Sequence, residues 1–448
     1  MIHALLIAFA LLASAQPILP PPAPPSTAPR AMAQISPDRC RASVDALVAF
    51  GTRHTLSETE SDDRGIGAAR RWVADQFRAA GDNVVVEFES FIQPAGRRIP
   101  EDTEIVNVVA RIPGTSTAAR HYVVLAHLDS RNSDPLDGEG DAPGANDDAS
   151  GVALLIELAN VLADKELEST IVLVATSGEE QGLHGARYHA EQAKAGKVDI
   201  RAVLSNDMVG DPGGPTDENG QERRAPLVVR IFSEGIPRNA TDDDIARIRR
   251  LAGENDSPSR GLARYITEVG AKEENDIHGF MVFRPDRFLR GGDHTPSNEL
   301  GFPAVRFTEV HENYDRQHQD VREEDGRQYG DLSEHVDENY IAGVARLNTA
   351  ALVHLANAPS SPQNVRMVVA DLSPNTLLRW DPSPEDDVAG YEIMWRDTVA
   401  HTWQYARDIG DVTEFDFPAS KDNFLFAVRA YDKDGYRSPA TFADAASE

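Results

Sequence analysis

Short apolar runs rich in β-branched residues recur between residues 36 and 358 and alternate with stretches of helical periodicity. The run IVLVAT at 171–176 is continuous, which is typical of a strand buried on both faces of a sheet. Residues 150–163, by contrast, place their apolar side chains on one face of a helix. Strands that alternate with helices predict an α/β fold, with a mixed, mostly parallel sheet flanked by helices.

The predicted strands share apolar residues bounded by turn-forming residues. They are Val84–Phe91, Ile105–Ile112, Tyr122–Ala126, Ile171–Thr176, Val203–Asn206, Leu227–Phe232 and Ala304–Thr308. The predicted helices share apolar residues at helical spacing. They are Gly65–Ala80, Ser150–Ala163, Asp242–Ala252 and Glu338–Ala356. Ligands of such sheets bind at the carboxyl ends of the strands, so polar residues just after a strand are the first candidates for a functional site.

Changes of composition divide the chain into four parts. Residues 1–15 contain a short apolar run that ends in Ala-Ser-Ala, which predicts a secretory signal peptide and a secreted or periplasmic protein. Residues 16–35 are rich in proline and are expected to form an extended linker. The α/β domain is predicted for 36–358. Residues 359–448 begin with a second linker and continue as short alternating strands, which predict a small all-β sandwich.

The C-terminal strands contain three informative aromatic residues. Trp380 lies in one predicted strand, Tyr391 begins another, and Phe424 begins a third. The stretch resembles a fibronectin type III module, with Trp380 at the position of that family's inner-strand tryptophan. Phe424 stands where the family usually has its corner tyrosine, so the corner hydrogen bond should be missing. The resemblance implies a tethering or binding role toward a polymer or surface partner, and none in catalysis.

The formal net charge of −29 excludes some classes of partner. No basic stretch is long enough to neutralise a row of phosphates, so a nucleic-acid interface is not expected. After the N-terminal run, no apolar stretch is long enough to predict a membrane span.

Two motifs follow predicted strands directly. His127 and Asp129 come after YVVLA and lie on the same face because they are two residues apart. Glu179 and Glu180 come after IVLVAT, where one could bind a metal while the other acts as a base. Taken alone, each has a simpler interpretation: a histidine at a strand end, or acidic residues at a helix N-terminus.

Further candidates lie elsewhere along the chain. Asp207 ends a third strand, His318 lies in a late loop, and the stretch PGANDDASG contains the adjacent acids Asp147 and Asp148. His311 in the same late region is an alternative to His318. Three strand ends with carboxylates, two histidines and no thiolate suit a hydrolytic site with two zinc ions.

The motifs HLDS, GANDDASG, SGEEQGLHG and NDM, followed by a late histidine, closely resemble the M28 family of zinc aminopeptidases over residues 37–358. The resemblance implies two zinc ions that share one bridging carboxylate. The implied ligands are His127, Asp147 and Asp207 for one ion, and Asp147, Glu180 and His318 for the other. Glu179 would be the general base, and Asp129 would anchor His127. The family also has a cis peptide between the residues that correspond to Asp147 and Asp148.

The sequence departs from the family on both sides of His318, and the aspartate usually found four residues after this histidine is absent. Gln317 stands where many relatives carry a tyrosine that stabilises the oxyanion, and Tyr314 is a candidate substitute. Asp148 is expected to support the backbone, and Asp293 matches a family stretch that supports the site. These features predict an exported aminopeptidase with two zinc ions that acts on peptides with a free N-terminus. The alternatives are a glutaminyl cyclase-like or carboxypeptidase activity on the same scaffold, or a catalytically silent adhesion protein.

Overall fold

The computed structural model describes residues 23–446 with the exception of 220 and 371. The chain divides into two compact units, of which one is Ser26–Asn357 and the other contains the C-terminal residues from Ala358. The predicted signal peptide, residues 1–15, lies outside the described residues. Among the described helices, none has both the length and the apolar character that crossing a bilayer requires.

The first unit alternates between helices and strands. Its helices are α1 (Thr27–Met32), α2 (Pro37–Val48), α3 (Gly65–Ala79), α4 (Ala149–Leu162), α5 (Glu179–Gly182), α6 (His184–Ala195), α7 (Asp242–Arg250), α8 (Pro258–Lys272), α9 (His294–Glu299) and α10 (Glu338–Asn357). Its strands are β1 (Val85–Gln93), β2 (Thr103–Ile112), β3 (Thr117–His127), β4 (Ser169–Thr176), β5 (Asp199–Asn206), β6 (Gly213–Thr216), β7 (Glu222–Arg224), β8 (Val228–Ser233), β9 (His278–Val282), β10 (Ala304–Thr308), β11 (Arg322–Glu324) and β12 (Arg327–Tyr329).

Eight strands form one sheet in the order β1-β2-β4-β3-β5-β10-β8-β9. The central strands β4, β3, β5 and β10 are parallel, whereas β1 and β2 run antiparallel at one side and β8 is antiparallel to β10. Every residue of β4 is buried, as expected for a continuous apolar run covered on both faces. The fold is therefore the predicted mixed sheet flanked by helices, and the carboxyl ends of four parallel strands meet at one edge.

The folded part of the chain begins earlier than predicted. Residues 16–35 were expected to be an extended linker, but Thr27–Met32 forms α1, whose Ala28 and Ala31 are buried. This helix packs against α10. Prolines dominate the composition of the predicted linker, and six residues are too few to show a helical period. The predicted linker is wrong over α1.

The C-terminal unit is all-β and consists of two four-stranded sheets. Its strands are β13 (Gln363–Val368), β14 (Thr376–Asp381), β15 (Val388–Asp397), β16 (Tyr405–Gly410), β17 (Glu414–Phe417), β18 (Phe424–Asp432), β19 (Thr441–Phe442) and β20 (Asp444–Ala446). Trp380 and Tyr391 are buried in its core with ring centroids 5.5 Å apart. The hydroxyl of Tyr391 accepts a hydrogen bond from the backbone N–H of Ser383 at 2.9 Å. The unit thus has an apolar core of its own.

Candidate metal centre

Three side chains converge at the carboxyl edge of the sheet. His127 is the last residue of β3, Asp207 follows β5, and Asp147 lies just before α4. The Nε2 atom of His127 is 3.0 Å from Oδ1 of Asp147 and 3.9 Å from Oδ1 of Asp207. All three side chains are buried, and together they form a group that could hold a metal ion.

A second group shares Asp147 with the first. Nε2 of His318 is 3.0 Å from the other carboxylate oxygen of Asp147, Oδ2, and 2.9 Å from Oε1 of Glu180. Glu180 lies on the short helix α5 that follows β4, and His318 comes from a late loop. Asp147 therefore presents one oxygen to each group, and its peptide bond to Asp148 is cis.

The spacing of these atoms suits zinc. Ligands about 2.0–2.1 Å from a tetrahedral zinc ion lie about 3.3 Å from one another, and the distances above range from 2.9 to 3.9 Å. Oε1 of Glu180 is buried, and its 2.9 Å contact with Nε2 of His318 lacks the geometry of a hydrogen bond. An unsatisfied buried oxygen is unfavourable, and a bound cation would satisfy it. The nitrogen and oxygen donors match those of zinc sites without thiolates.

The electrostatics of the site favour positive charge. Burial lowers the pKa of His318, but Glu180 and Asp147 outweigh burial and raise this pKa to about 9. Burial also lowers the pKa of His127, and its contacts with Asp147 and Asp207 again prevail, so that the pKa is well above its usual value. The carboxylates stabilise a cation at this position, as a metal site requires.

Glu179 belongs to neither group of candidate ligands. It lines a cavity of about 400 Å³ whose wall also includes Asp147, Glu180, Asp207 and His318. Burial raises the pKa of Glu179 well above its usual range; the charge of His127 opposes this shift, and Asp207 and Glu180 add to it. A carboxylate whose pKa is raised holds a proton more readily than an ordinary glutamate, which is a property of groups that accept and return protons in catalysis.

A family model described as peptidase family M28 matches residues 107–338. The chain belongs to peptidase family M28. A probable zinc metalloprotease of Leptosphaeria maculans is 44% identical to it over 94% of this chain and 97% of that protein. A probable zinc metalloprotease of Pyrenophora tritici-repentis is also 44% identical, over 94% of this chain and 88% of its own. This M28 chain is accordingly a zinc metallopeptidase, and its family implies peptide substrates.

Two solved structures show the same fold at low identity. The Legionella pneumophila LapA aminopeptidase is 18% identical, with a TM-score of 0.51 over 78% of this chain and 79% of its own. Porphyromonas gingivalis glutaminyl cyclase is also 18% identical, with a TM-score of 0.51 over 71% of this chain and 98% of its own. At this identity the likeness concerns the M28 fold alone.

Asp129 contacts His127 differently from the prediction. Nδ1 of His127 lies 2.9 Å from the backbone carbonyl oxygen of Asp129, whereas the Asp129 carboxylate is 3.9 Å away. The carboxylate instead accepts hydrogen bonds from the backbone N–H groups of Glu179 at 3.2 Å and Glu180 at 3.1 Å. In this M28 peptidase the main chain anchors the histidine, and the side chain of Asp129 fixes the start of α5.

Asp148 connects three segments of the M28 unit. Its carboxylate accepts hydrogen bonds from the backbone N–H groups of His127 at 3.0 Å, Gly151 at 3.0 Å and Met208 at 3.2 Å. It thereby caps the N-terminus of α4 and joins the ends of two strands to it. This arrangement agrees with the predicted role of backbone support.

Asp148→Ala should lower the free energy of unfolding by about 3 kcal/mol, because it leaves three buried backbone N–H groups without their acceptor. Urea unfolding of the zinc-free protein would measure this loss independently of metal binding. Thr241→Ala removes the exposed N-cap of α7 and serves as a control with a smaller loss. Equal losses in the two variants would contradict the role of Asp148.

The late loop places Gln317, and not Tyr314, beside the ligands. Nε2 of Gln317 donates a hydrogen bond to Oδ2 of Asp147 at 3.1 Å, whereas the side chain of Tyr314 is 60% exposed. The backbone N–H of Gln317 donates to the carbonyl of Asn313, and this turn directs residue 317 inward. The prediction that Tyr314 replaces the family's tyrosine is therefore wrong.

The remaining predicted residues are located as follows. His318 joins the second group, while His311 packs beside Gly214. Asp293 is buried, and its carboxylate accepts a hydrogen bond from the hydroxyl of Thr176 at the end of β4. Burial raises the pKa of Asp293 to about 7.

Arg131, Arg306 and Asp331 are among the residues that contact the candidate ligands and were not predicted from the sequence. Nε of Arg131 lies 3.1 Å from Oε2 of Glu180, and Nη2 of Arg306 lies 2.9 Å from Oδ1 of Asp207. The carboxylate of Asp331 accepts hydrogen bonds from the backbone N–H of Asp147 at 2.7 Å and that of residue 146 at 2.9 Å. Arg306 could have been identified from the sequence, because an arginine inside the apolar strand AVRFT requires a buried acidic partner. The other two lie in loops without periodicity.

Proposed function

We propose that the protein is an aminopeptidase with two zinc ions that hydrolyses N-terminal residues from peptides. One observation carries the proposal: Asp147 directs one carboxylate oxygen to each of two ligand groups. A carboxylate shared in this way suits a pair of cations. A single ion would leave without a metal either His127 and Asp207 or Glu180 and His318. Paired cations also offset the repulsion among the carboxylates.

The residues would divide the work as follows. His127, Asp147 and Asp207 would hold one zinc ion, and Asp147, Glu180 and His318 the other. Zinc, when bound, supplies a Lewis acid and lowers the pKa of water. Glu179 accepts a proton from the attacking water while the oxygen of that water bonds to the carbonyl carbon of the substrate. It then returns the proton to the leaving amine as the C–N bond breaks. An acid at position 179 also argues against a silent adhesion protein.

A glutaminyl cyclase-like activity is the second candidate, because a glutaminyl cyclase shares the fold. The two activities require different substrates and give different products. Hydrolysis releases the first residue of many peptides, whereas cyclisation retains the residue and releases ammonia from an N-terminal glutamine. The complete pair of ligand groups favours hydrolysis.

The protein should bind two zinc ions per chain and release the N-terminal residue from aminoacyl amides. Elemental analysis together with a panel of free, N-acetylated and N-glutaminyl peptides would measure both properties. N-acetylated peptides should resist cleavage, because the free amine is part of the recognised substrate. Full activity with one zinc ion would contradict the dinuclear site. Cleavage of acetylated peptides from the other end would indicate a carboxypeptidase.

We propose further that residues 1–15 direct export, to a secreted or periplasmic location, and that the C-terminal unit is a fibronectin type III-like module. The two four-stranded sheets and the buried Trp380 support the second proposal. The two groups of candidate ligands lie within Ser26–Asn357, so the module contributes none of these ligands. Its role would be to bind a polymer or a surface partner.

A chain shortened to end at Ala358 should still fold, bind zinc and cleave a small aminoacyl amide. The C-terminal unit has a separate apolar core, which includes Trp380, Tyr391 and Phe426. Zinc content and turnover of the shortened chain, compared with those of the full chain, would test this. A soluble, folded short chain that binds no zinc would show that the C-terminal unit is needed for the metal centre.

A further inference from the structure

The cavity beside the candidate metal centre is unusually rich in arginine for a chain with a net charge of −29. Its lining contains four acidic residues and five arginines. Three of the acids are candidate zinc ligands, whose charge a bound metal would offset. The arginines are Arg98, Arg131, Arg287, Arg290 and Arg306.

Three of these arginines pair with carboxylates of the protein itself. The pairs are Arg131–Glu180 at 3.1 Å, Arg287–Glu312 at 2.6 Å, Arg306–Asp207 at 2.9 Å and Arg306–Asp286 at 3.0 Å. These three guanidinium groups are held by carboxylates of the protein and keep candidate ligands and loops in place.

Arg98 and Arg290 differ from the other three. Within the described part of the chain, neither forms an ion pair with a carboxylate. Nη1 of Arg98 donates to the backbone carbonyl of Glu180 at 2.6 Å, which places this arginine next to a candidate zinc ligand. Arg290 is exposed, on a segment that also supplies the exposed Leu289 to the cavity wall.

We propose that the substrate brings a carboxylate into this cavity and that Arg98 and Arg290 bind it. The inference rests on the proposed function and specifies its substrate class. Guanidinium groups form short, charge-assisted hydrogen bonds with carboxylates. Leu183 and Leu289 supply apolar surface for the aliphatic part of the same residue.

The position of Arg98 limits where the carboxylate lies on the substrate. Because Arg98 contacts the backbone of Glu180, the group that it binds lies close to the scissile bond. Two sources provide such a carboxylate: the side chain of an N-terminal glutamate or aspartate, and the terminal carboxylate of a dipeptide. Both present the same chemistry to the arginines, and matched substrates distinguish them.

The first test measures selectivity with two pairs of substrates that differ in one charge. Glutamyl and glutaminyl p-nitroanilides differ only in the side-chain carboxylate, and leucyl-alanine and its amide differ only in the terminal one. The intact protein should prefer the charged member of one pair by about 100-fold in kcat/KM, with about 10-fold from a charge-assisted hydrogen bond to each of the two arginines. The preferred pair identifies the source of the carboxylate, and no preference in either pair would overturn the inference.

Variants then assign the preference to the two arginines. Arg98→Gln and Arg290→Gln should each reduce the selectivity ratio by about 10-fold. Arg97→Gln is the matched control, because Arg97 is an exposed neighbour that does not line the cavity; its ratio should not change. A ratio that survives in both cavity variants, or that falls equally in the Arg97 variant, would contradict the role of the cavity arginines.

A binding experiment separates this inference from the proposed function. Calorimetry on zinc-loaded Glu179→Gln protein would compare an N-terminal glutamate peptide with its glutamine isostere, and leucyl-alanine with its amide. Tighter binding of a charged member that is lost with Arg290→Gln supports carboxylate recognition even if the intact protein hydrolyses neither pair. Equal binding within both pairs, in a protein that does cleave aminoacyl amides, overturns the inference and leaves the proposed function intact.

Discussion

Glu179→Gln should keep the fold and the zinc content of the unaltered protein and lose turnover by about 10²–10⁴-fold or more. The amide is nearly the same size as the carboxylate but cannot accept a proton from water. Glu179 belongs to neither group of candidate ligands, so the substitution leaves both groups complete. Turnover of an aminoacyl amide, together with zinc content and a thermal unfolding curve, would measure the effect.

The neighbouring substitution Glu180→Gln is the matched control. It changes the same functional group one residue away, but Glu180 is a candidate ligand and so its loss should weaken zinc binding at one site. Normal kcat in a zinc-loaded Glu179→Gln protein would show that another group transfers the proton. Lower zinc content in that variant would show that Glu179 is a ligand.

Asp147→Ala should abolish both zinc sites, since Asp147 is the residue that the two ligand groups share. Asp207→Ala should weaken one site more than the other, because Asp207 belongs to one group only. Elemental analysis after dialysis against micromolar zinc would give the number of bound ions in each variant.

Unfolding with and without zinc gives a second measure. Zinc at 100 times its dissociation constant stabilises a folded protein by about 2.7 kcal/mol for each site. Asp147→Ala should remove this stabilisation, and Asp207→Ala should retain part of it. Two bound zinc ions in the Asp147 variant would rule out the shared carboxylate.

The fold could be predicted largely because its central strands are buried on both faces. A buried strand needs a continuous apolar run, which the sequence shows directly; the predicted Ala304–Thr308 has the same bounds as β10. Strand β9, at the edge of the sheet, was not predicted, since its apolar run at 280–282 is short and none of its residues is fully buried. Helix α8 was also missed, although Ser257 and Pro258 at its start are typical of a helix N-terminus.

The candidate site could be predicted as far as side-chain identity determines it. The five candidate ligands were implied by the resemblance of the sequence motifs to those of the M28 family. The anchoring of His127 could not be predicted, because its partner is a backbone carbonyl that any residue at position 129 would supply. The sequence could not show whether Tyr314 or Gln317 lies beside the candidate ligands, because a turn in the loop decides which of them points inward.

The contact between Asp331 and the backbone of Asp147 has a consequence for how the enzyme is made. During synthesis the chain emerges from its N-terminus, so four of the five candidate ligands leave the ribosome well before His318 and Asp331. Until those residues arrive, Glu180 lacks its histidine partner and the loop that carries Asp147 lacks its support. Domains generally fold as units. A nascent chain therefore lacks part of the candidate metal centre until nearly the whole first unit has been translated.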